Sequence, residues 1–351
     1  IYWIIIIAII AITHEFAHGI FAAYNKVKIK KTGFGFFPFF LPIFLAAFVE
    51  LDEKRMAKKS KFSQMAILSA GTFANILTAI FFLIVMWLFF SLAFTPSGVM
   101  FDNYVYSVFP IASVSIINGV TLENASYEKI LNLVNETGLN KVEADNKNYL
   151  ITKDFLEQQK NNEEYILLYD DAPAINAGLS GAITEINDIK INSREKLGEE
   201  LLKNSPGENI TITTIIDEEI KEYEIVLGKN PENESLPWLG IGFVNRETSG
   251  VINKIISFLS SFKNSHIYYK PKFGAGLFIH NLLWWIVLIS FSVALINMLP
   301  VGIFDGGKFF YLTVLAITKS DKIAKKAFSF ITYFFLFLLL LLMAFWVFSF
   351  W

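Results

Sequence analysis

Four long apolar blocks separated by polar segments constrain this chain more than any other feature. They cover roughly residues 1–24, 63–95, 274–300 and 327–351. Because about 20 mainly apolar residues in a helix cross a bilayer core of about 30 Å, each block meets or approaches the length of one crossing. Charged residues make up only 18 % of the chain, whereas soluble proteins average about 25 %. We therefore expect a polytopic α-helical membrane protein embedded in the lipid bilayer.

A fifth apolar block, residues 33–49, differs from the other four. It contains Gly33, Gly35, Pro38 and Pro42, which interrupt helices, and several phenylalanines, which favour extended structure. Non-helical backbone is tolerated at membrane depth only where protein covers it or water reaches it. The block is therefore predicted to form a short membrane-embedded β-hairpin or re-entrant segment.

The basic residues predict how the chain is oriented in the membrane. Nine Lys and Arg residues lie between positions 26 and 61, and four Lys residues lie between 319 and 326. Because loops rich in Lys and Arg remain in the cytoplasm, both segments are predicted to be cytoplasmic. The polar stretch between them is then extracytoplasmic. Its residues 97–246 carry 25 Asp and Glu against 12 Lys and Arg, as expected of a soluble α+β domain outside the membrane.

These patterns divide the chain into four regions. The regions are 1–96 (first half of the membrane core), 97–246 (extracytoplasmic α+β region), 247–273 (interfacial linker) and 274–351 (second half of the membrane core). Within the linker, Val251 to Phe262 has the pattern of an amphipathic surface helix or of an ordinary linker helix. A short sequence echo between residues 115–120 and 184–189 suggests two modules, 97–163 and 164–246, although an insertion or chance would produce the same match.

His14, Glu15 and His18 form an H-E-x-x-H sequence inside the first apolar block. Helix side chains four residues apart lie on one face, so both imidazoles can reach one zinc ion, and Glu15 can act as general base on the zinc-bound water. A single histidine on an apolar helix is usually a packing residue. Three ionisable residues within five positions each cost on the order of a few kcal/mol in a membrane helix, which favours a metal site.

A catalytic zinc usually takes three protein ligands and leaves one position for water. The chain has no cysteine, so the third ligand must be a histidine or a carboxylate. Asp305 follows a long apolar span and enters a Gly-rich turn, where Pro300 breaks the helix. We expect Asp305 to be the third ligand; the alternative is a plain Asp-Gly turn at the membrane edge.

Together these motifs resemble those of the site-2 protease family of intramembrane metalloproteases. The matching sequences are His14-Glu15-x-x-His18, Asn297-x-x-Pro300 followed by Asp305-Gly306, and Gly71-Thr72-Phe73-Ala74-Asn75, which is similar to the G-x-x-x-N element of the family's central helix. Phe304 stands where the family often has Leu, and Thr72 where it often has Pro.

The resemblance implies a zinc ion (Zn²⁺) held by His14, His18 and Asp305, with Glu15 activating water. It also implies catalytic roles for Asn75 and Asn297, which would position the substrate backbone or the developing oxyanion. Hydrogen bonding between helices is the alternative for both asparagines.

The extracytoplasmic region is similar to a bacterial-type PDZ domain. The similarity lies in residues 171–187 and in Leu239-Gly240-Ile241-Gly242, which resembles the loop that binds a peptide C-terminus through backbone N–H groups. Gly181-Ala182 replaces the usual Gly-Asp. One class of site-2 proteases carries PDZ modules at this position in the chain. The resemblance implies a domain that binds C-terminal peptides or excludes bulky substrates.

The sequence thus predicts an intramembrane zinc metalloendopeptidase that cleaves transmembrane protein substrates (regulated intramembrane proteolysis), with its active site towards the cytoplasmic side. A transporter or channel that uses the buried His, Glu and Asp is one alternative, but it would carry repeated pairs of broken helices. A proteolytically silent PDZ scaffold is another, against which the intact Glu15 argues. A net charge of −2 and the lack of a basic cluster with interleaved aromatics exclude nucleic acid as a partner.

Overall fold

A computed structural model describes residues 2–36, 45–160, 164–244, 250–251, 253–254, 257 and 262–348. The chain forms two compact units. The first is built from the residues up to Ala93 and from Phe273 onward, and the second is Phe94–Lys272. Most of the amphipathic segment predicted over Val251 to Phe262 lies outside the described residues.

The helices and strands with described bounds follow the chain from end to end. The helices are α1 (Tyr2–Tyr24), α2 (Glu53–Ala57), α3 (Lys61–Ala93), α4 (Tyr127–Leu133), α5 (Lys153–Glu157), α6 (Pro173–Asn176), α7 (Arg194–Leu201), α8 (Gly276–Asn297), α9 (Asp305–Thr318) and α10 (Asp321–Phe348). The strands are β1 (Ile29–Phe36), β2 (Leu45–Leu51), β3 (Phe94–Met100), β4 (Asn103–Tyr104), β5 (Tyr106–Pro110), β6 (Val114–Ile117), β7 (Val120–Thr121), β8 (Asn140–Ala144), β9 (Lys147–Ile151), β10 (Tyr165–Asp170), β11 (Ala182–Ile186), β12 (Ile189–Lys190), β13 (Asn209–Ile216), β14 (Glu219–Val226), β15 (Gly228–Lys229), β16 (Pro237–Trp238), β17 (Ile241–Gly242) and β18 (Ile267–Pro271).

Four helices of the first unit, α1, α3, α8 and α10, are long and apolar enough to cross a bilayer. Many of their large apolar side chains are exposed; on α10, for example, Phe337 is 60 % and Leu340 is 64 % exposed. Apolar surface of this extent is unfavourable in water and favourable in hydrocarbon. The four helices therefore agree with the predicted class, a multi-pass α-helical membrane protein.

The sequence did not predict helix α9. The glycines after Asp305 suggested a turn, whereas the structure has a helix from Asp305 to Thr318. Helix α10 also begins earlier than the apolar block at 327, because Asp321 stabilises its charged first turns. The Asp321 carboxylate accepts a hydrogen bond from the Tyr311 hydroxyl at 2.6 Å and pairs with Lys325 at 2.8 Å.

Strands β1 and β2 form an antiparallel hairpin in the first unit. Thr32 lies opposite Val49 and Gly33 opposite Phe48. The hairpin is longer than the apolar block 33–49, because Ile29 and Leu51 extend the pairing at its open end. The middle of the predicted segment, including Pro38 and Pro42, lies outside the described residues. Insertion of the hairpin into the membrane stays a prediction.

Two larger antiparallel sheets, each with its own core, dominate the described part of the second unit, beside the two-stranded pairs β15-β16 and β17-β4. The first sheet has the strand order β5-β10-β9-β8-β6-β7, and its core includes the fully buried Ile117, Ile130 and Leu168. The second sheet has the order β14-β13-β11-β3-β18, with β12 paired to β11. Its core includes Val99 and Ile183. The larger part of the α+β unit is thus organised around two sheets, and a division into two modules stays a prediction.

The strand pairing crosses two of the predicted boundaries, because strands distant in sequence pair with each other. β10 belongs to the first sheet, where it pairs with β5 and β9, so the first module continues past residue 163 to Asp170. β18 lies inside the region predicted as an interfacial linker, 247–273, yet it pairs with β3 at the start of the unit.

The sequence echo corresponds to a shared local structure. In both modules a two-residue turn with positive φ angles joins two short strands: Asn118-Gly119 between β6 and β7, and Asn187-Asp188 between β11 and β12. Such turns require left-handed backbone, which Gly, Asn and Asp adopt most readily. A helix with a serine N-cap then follows in each module, capped by Ser126 at α4 and by Ser193 at α7.

Candidate metal centre

His14, His18 and Asp305 converge in the first unit although they come from two helices far apart in sequence. His14 Nε2 lies 3.1 Å from His18 Nε2. The Asp305 Oδ2 atom lies 3.5 Å from His14 Nε2 and 3.2 Å from His18 Nε2. The structure therefore brings together the three residues that the sequence nominated as ligands.

The spacing of these three atoms fits a zinc ion. Ligands bound at about 2.0–2.1 Å to a tetrahedral zinc stand about 3.3 Å apart, and the three observed distances are 3.1, 3.2 and 3.5 Å. Two imidazole nitrogens and one carboxylate oxygen are also a donor set that catalytic zinc uses. His14 and His18 are each only 8 % exposed, so their polar atoms need a partner in the protein interior.

Helix α3 forms the surface on which the two imidazoles lie. His18 Nδ1 is 2.7 Å from the backbone oxygen of Ile67, and His14 Nδ1 is 3.1 Å from the side-chain amide nitrogen of Asn75. Between these two contacts, a Cβ atom added to Gly71 would lie 2.4 Å from His18 Nε2 and 2.5 Å from His14 Cε1. The glycine therefore opens the space that the rings occupy.

Asp305 is held in place by a close approach of backbone to backbone. It is the first residue of α9, and a Cβ on Gly306 would lie 2.3 Å from the carbonyl carbon and oxygen of Met298. Its side-chain oxygen Oδ2 faces the Nε2 atoms of both His14 and His18. Asp305 is thereby placed to supply a third ligand atom beside the two imidazoles.

Glu15 occupies the position next to the two histidines on α1. Its Oε2 atom accepts a hydrogen bond of 2.8 Å from the backbone N–H of Val49 on β2. The hairpin therefore holds the predicted base beside the centre, a contact that the sequence did not indicate.

Two cavities reach the centre, and Glu15 and Asp305 line both. The larger, of about 750 Å³, is polar and is also lined by His18, by charged residues of the hairpin region such as Lys30, and by Lys308. The smaller, of about 370 Å³, is mainly apolar and is bounded by α1, α8 and the start of α9. The candidate centre thus borders one cavity with many charged lining residues and one with a mainly apolar lining.

The two asparagines nominated for catalysis have different surroundings. Asn297, the last residue of α8, lines the smaller cavity together with His14, Glu15 and Asp305. Asn75 is fully buried and contacts His14 from the side of α3. Because its amide is packed behind a ligand, a direct contact between Asn75 and a substrate does not fit this position.

The nominated peptide-binding loop, Leu239-Gly240-Ile241-Gly242, lies in the second unit. Its strand β17 pairs with β4, and the Leu239 carbonyl accepts a hydrogen bond from the backbone N–H of Ala174 at 2.9 Å. A groove of about 570 Å³ separates this loop from α7, and Leu197, Leu201 and Phe243 contribute to its apolar walls.

The first unit thus combines helices of bilayer length with a donor set of two histidines and one carboxylate. These features are those of a membrane protein with a candidate metal centre of the H-E-x-x-H type. The chain matches peptidase family M50 over residues 2–342. It is also 26 % identical over 178 residues to the zinc metalloprotease RasP of Shouchella clausii (strain KSM-K16), a match that covers 43 % of this chain and 42 % of that protein. The matched region thus spans less than half of the relative. The chain belongs to peptidase family M50, the site-2 protease family, as the motifs predicted.

Proposed function

We propose that this protein is an intramembrane zinc metalloprotease, which hydrolyses peptide bonds in or next to the transmembrane segments of other membrane proteins. The observation that carries the proposal is the convergence of His14, His18 and Asp305 at zinc spacing, with Glu15 beside them, within a unit of bilayer-length helices. Membership of family M50 supports the same function.

His14, His18 and Asp305 would hold the zinc ion. When bound, zinc supplies Lewis acidity, which polarises a peptide carbonyl and makes water more acidic. Glu15 takes a proton from the attacking water and passes it to the leaving nitrogen, so that the water oxygen joins the carbonyl carbon as the C–N bond breaks. The side chain of Asn297 donates a hydrogen bond to the substrate, either to its backbone or to the carbonyl oxygen that gains charge.

The substrate reaches the centre as an extended chain, because the backbone groups of an intact helix are already hydrogen-bonded. Strand β2 offers an edge for such a chain. The N–H of Val49 points away from β1, since it donates to Glu15. The same outer edge therefore runs past the predicted base, and a substrate strand added there lies next to the metal ligands.

The charge pattern supports a cytoplasmic position for the active site and an extracytoplasmic position for the second unit. The larger cavity is lined by Lys30, Lys54 and Lys308, residues of the segments assigned to the cytoplasm or next to them. In this orientation the protease performs regulated intramembrane proteolysis, in which a transmembrane substrate is cut after it has passed the extracytoplasmic unit.

The second unit acts on the substrate as a PDZ-like module. Its groove between α7 and Leu239-Gly240-Ile241-Gly242 has apolar walls and a strand edge, the features that bind an extended peptide C-terminus. Steric exclusion of bulky extracytoplasmic domains is the other role that the same unit can have. A Leu201→Lys exchange separates the two, since it would weaken peptide binding but leave the volume of the unit unchanged.

The test is cleavage of a model transmembrane substrate in detergent by the purified full-length chain, with zinc content measured. Glu15→Gln should abolish cleavage and retain zinc, because it removes the base but no ligand. The matched control is Glu50→Gln, which changes an exposed acid that lines the same cavity and pairs with Lys30, and which should leave cleavage near wild type. Cleavage by Glu15→Gln at the wild-type rate, or a wild type that holds no zinc, would refute the proposal.

A further inference from the structure

One stripe of helix α3 lies against both candidate histidine ligands. Ile67, Gly71 and Asn75 are spaced four residues apart, so they occupy one face of the helix. The three positions meet the imidazoles in order: Ile67 through its carbonyl oxygen, Gly71 through the absence of a side chain, and Asn75 through its amide.

We propose that this stripe selects the metal-binding form of both imidazoles, with Asn75 as a positioning residue whose side-chain oxygen accepts a hydrogen bond from His14 Nδ1. The inference rests on the proposed metal centre and adds to it the residues that orient its ligands.

The contact of His18 determines its tautomer. A carbonyl oxygen can only accept, so the 2.7 Å contact between Ile67 O and His18 Nδ1 requires the proton on Nδ1. A neutral imidazole carries one N–H, which leaves Nε2 with a free lone pair. Nε2 is the atom that faces Asp305 and His14. Ile67 therefore prepares His18 to bind a metal through Nε2.

His14 needs the same tautomer, and Asn75 is the residue that can supply it. As placed, the amide nitrogen of Asn75 faces His14 Nδ1 at 3.1 Å, which would put the imidazole proton on Nε2 and block the metal. The amide oxygen of Asn75 is buried and has no hydrogen-bond partner among the described residues. Nothing described holds it there, so rotation of the amide places this oxygen against Nδ1–H. The nitrogen and oxygen of an amide have nearly the same size and shape, so a half-turn of the amide exchanges them without a change in packing.

Gly71 allows both rings to lie against the helix backbone. A Cβ at this position would lie 2.4 Å from His18 Nε2 and 2.6 Å from His14 Nε2, the two atoms that would bind the metal. Glycine is unfavourable inside a helix relative to alanine, and here the missing side chain leaves room for the donors. Gly19 on α1 provides a contrast, because a Cβ there would meet only side-chain atoms at 3.7 Å or more.

The experiment measures the zinc affinity of the full-length protein in detergent by competition with a chelator, and the Co²⁺ absorption spectrum as a second readout. Loss of a partner behind a metal ligand typically costs about 10–100-fold in affinity. Asn75→Leu should therefore bind zinc about 10–100-fold more weakly, whereas Asn75→Asp, which keeps an acceptor oxygen, should retain tight binding. Thr78→Val is the control, since its hydroxyl bonds within α3, to the Ala74 carbonyl. Gly71→Ala should lose zinc and Gly19→Ala should keep it.

The outcomes separate this inference from the proposed function. A wild type that binds no zinc would overturn both. A wild type that binds zinc while Asn75→Leu binds it equally well would overturn the role of Asn75 alone. If Asn75 acted only by packing, Leu would be tolerated and the buried charge of Asp would not, which is the reverse of the expected order. Thermal unfolding of each variant without metal identifies any that fail to fold, and the Asn75→Asp variant then decides the point.

Discussion

Replacement of Gly306 by alanine should disable the metal centre without changing any ligand. An added Cβ would lie 2.3 Å from the carbonyl carbon and oxygen of Met298 and 2.5 Å from the carbonyl oxygen of Leu299. These are backbone atoms of a tight turn, which cannot rotate away as a side chain does. Because carbon atoms pack at about 3.5–4.0 Å, the first turn of α9 must retreat by roughly 1 Å.

That retreat displaces Asp305, the preceding residue, relative to the histidines. Its Oδ2 atom lies 3.2 Å from His18 Nε2 and 3.5 Å from His14 Nε2. These distances match the ligand spacing of about 3.3 Å at a tetrahedral zinc, and a displacement of roughly 1 Å disrupts that match. We expect the overpacking to destabilise the protein by about 1–3 kcal/mol. A misplacement of about 1 Å at a catalytic site is enough to lower turnover by about 100-fold.

The assay combines chelator competition for zinc, thermal unfolding without metal, and cleavage of a transmembrane substrate. Gly302→Ala is the matched control: it lies in the same turn, but its Cβ would meet only the tip of the Phe328 ring, at 3.3 Å. Gly302→Ala should retain zinc and activity. Wild-type zinc affinity in Gly306→Ala, or equal damage in both variants, would refute the reasoning.

Two further predictions concern metal removal and pH. Zinc at about 100 times its dissociation constant stabilises the folded state by about 2.7 kcal/mol, so a chelator should lower the melting temperature and added zinc should restore it. The melting temperature of Asp305→Asn should respond far less to zinc. An equal response in this variant would contradict the assignment of Asp305 as a ligand. In the second unit, hydrogen bonds from Lys196 and Lys203 hold the pKa of Glu200 below its usual value. A carboxyl whose pKa is lower in the folded state stabilises the fold above its unfolded pKa and loses that contribution as pH falls. The urea midpoint should therefore decline below about pH 4.5 less steeply in Glu200→Gln than in wild type, and the exposed Glu199→Gln should behave as wild type.

The parts of the site that the sequence predicted are those with a local signature. His14, Glu15 and His18 lie within one helical turn, so their spacing alone places two imidazoles on one face. Asp305 was nominated because zinc needs a third ligand and few acids lie in the apolar blocks. The contacts of Ile67 and Val49 were not predictable, because backbone atoms carry no residue identity. They depend on how α1 packs against α3 and against the hairpin.

The role of Asn75 illustrates the same limit. The motif Gly71-x-x-x-Asn75 marks one helix face, yet the spacing does not say whether that face meets a substrate or a ligand. Only the packing of α1 on α3 decides, and it places Asn75 behind His14. The glycines at 306 and 307 were equally ambiguous. Their sequence predicts a loop, but in the structure they let the first turn of α9 lie directly against the backbone of the preceding turn.

In the fold, too, the local features were predictable from the sequence and the long-range pairing was not. Bilayer-length helices are visible in hydropathy because each is a continuous segment. Pairing between distant strands is not, since periodicity reports which residues form a strand but not which partner it takes. The pairing of β18 with β3, from opposite ends of the second unit, and the membership of β10 in the first sheet are the clearest cases.

The most direct test of the account is the zinc coordination of the purified full-length protein, measured by X-ray absorption at the zinc edge for wild type and for Asp305→Asn. We expect one zinc per chain, with two imidazole nitrogens and one carboxylate oxygen at about 2.0–2.2 Å, and a changed set of ligands in the variant. A wild type without zinc would contradict the assignment of this centre. So would a zinc that keeps the wild-type ligands both in Asp305→Asn and in a double variant with His14→Ala and His18→Ala.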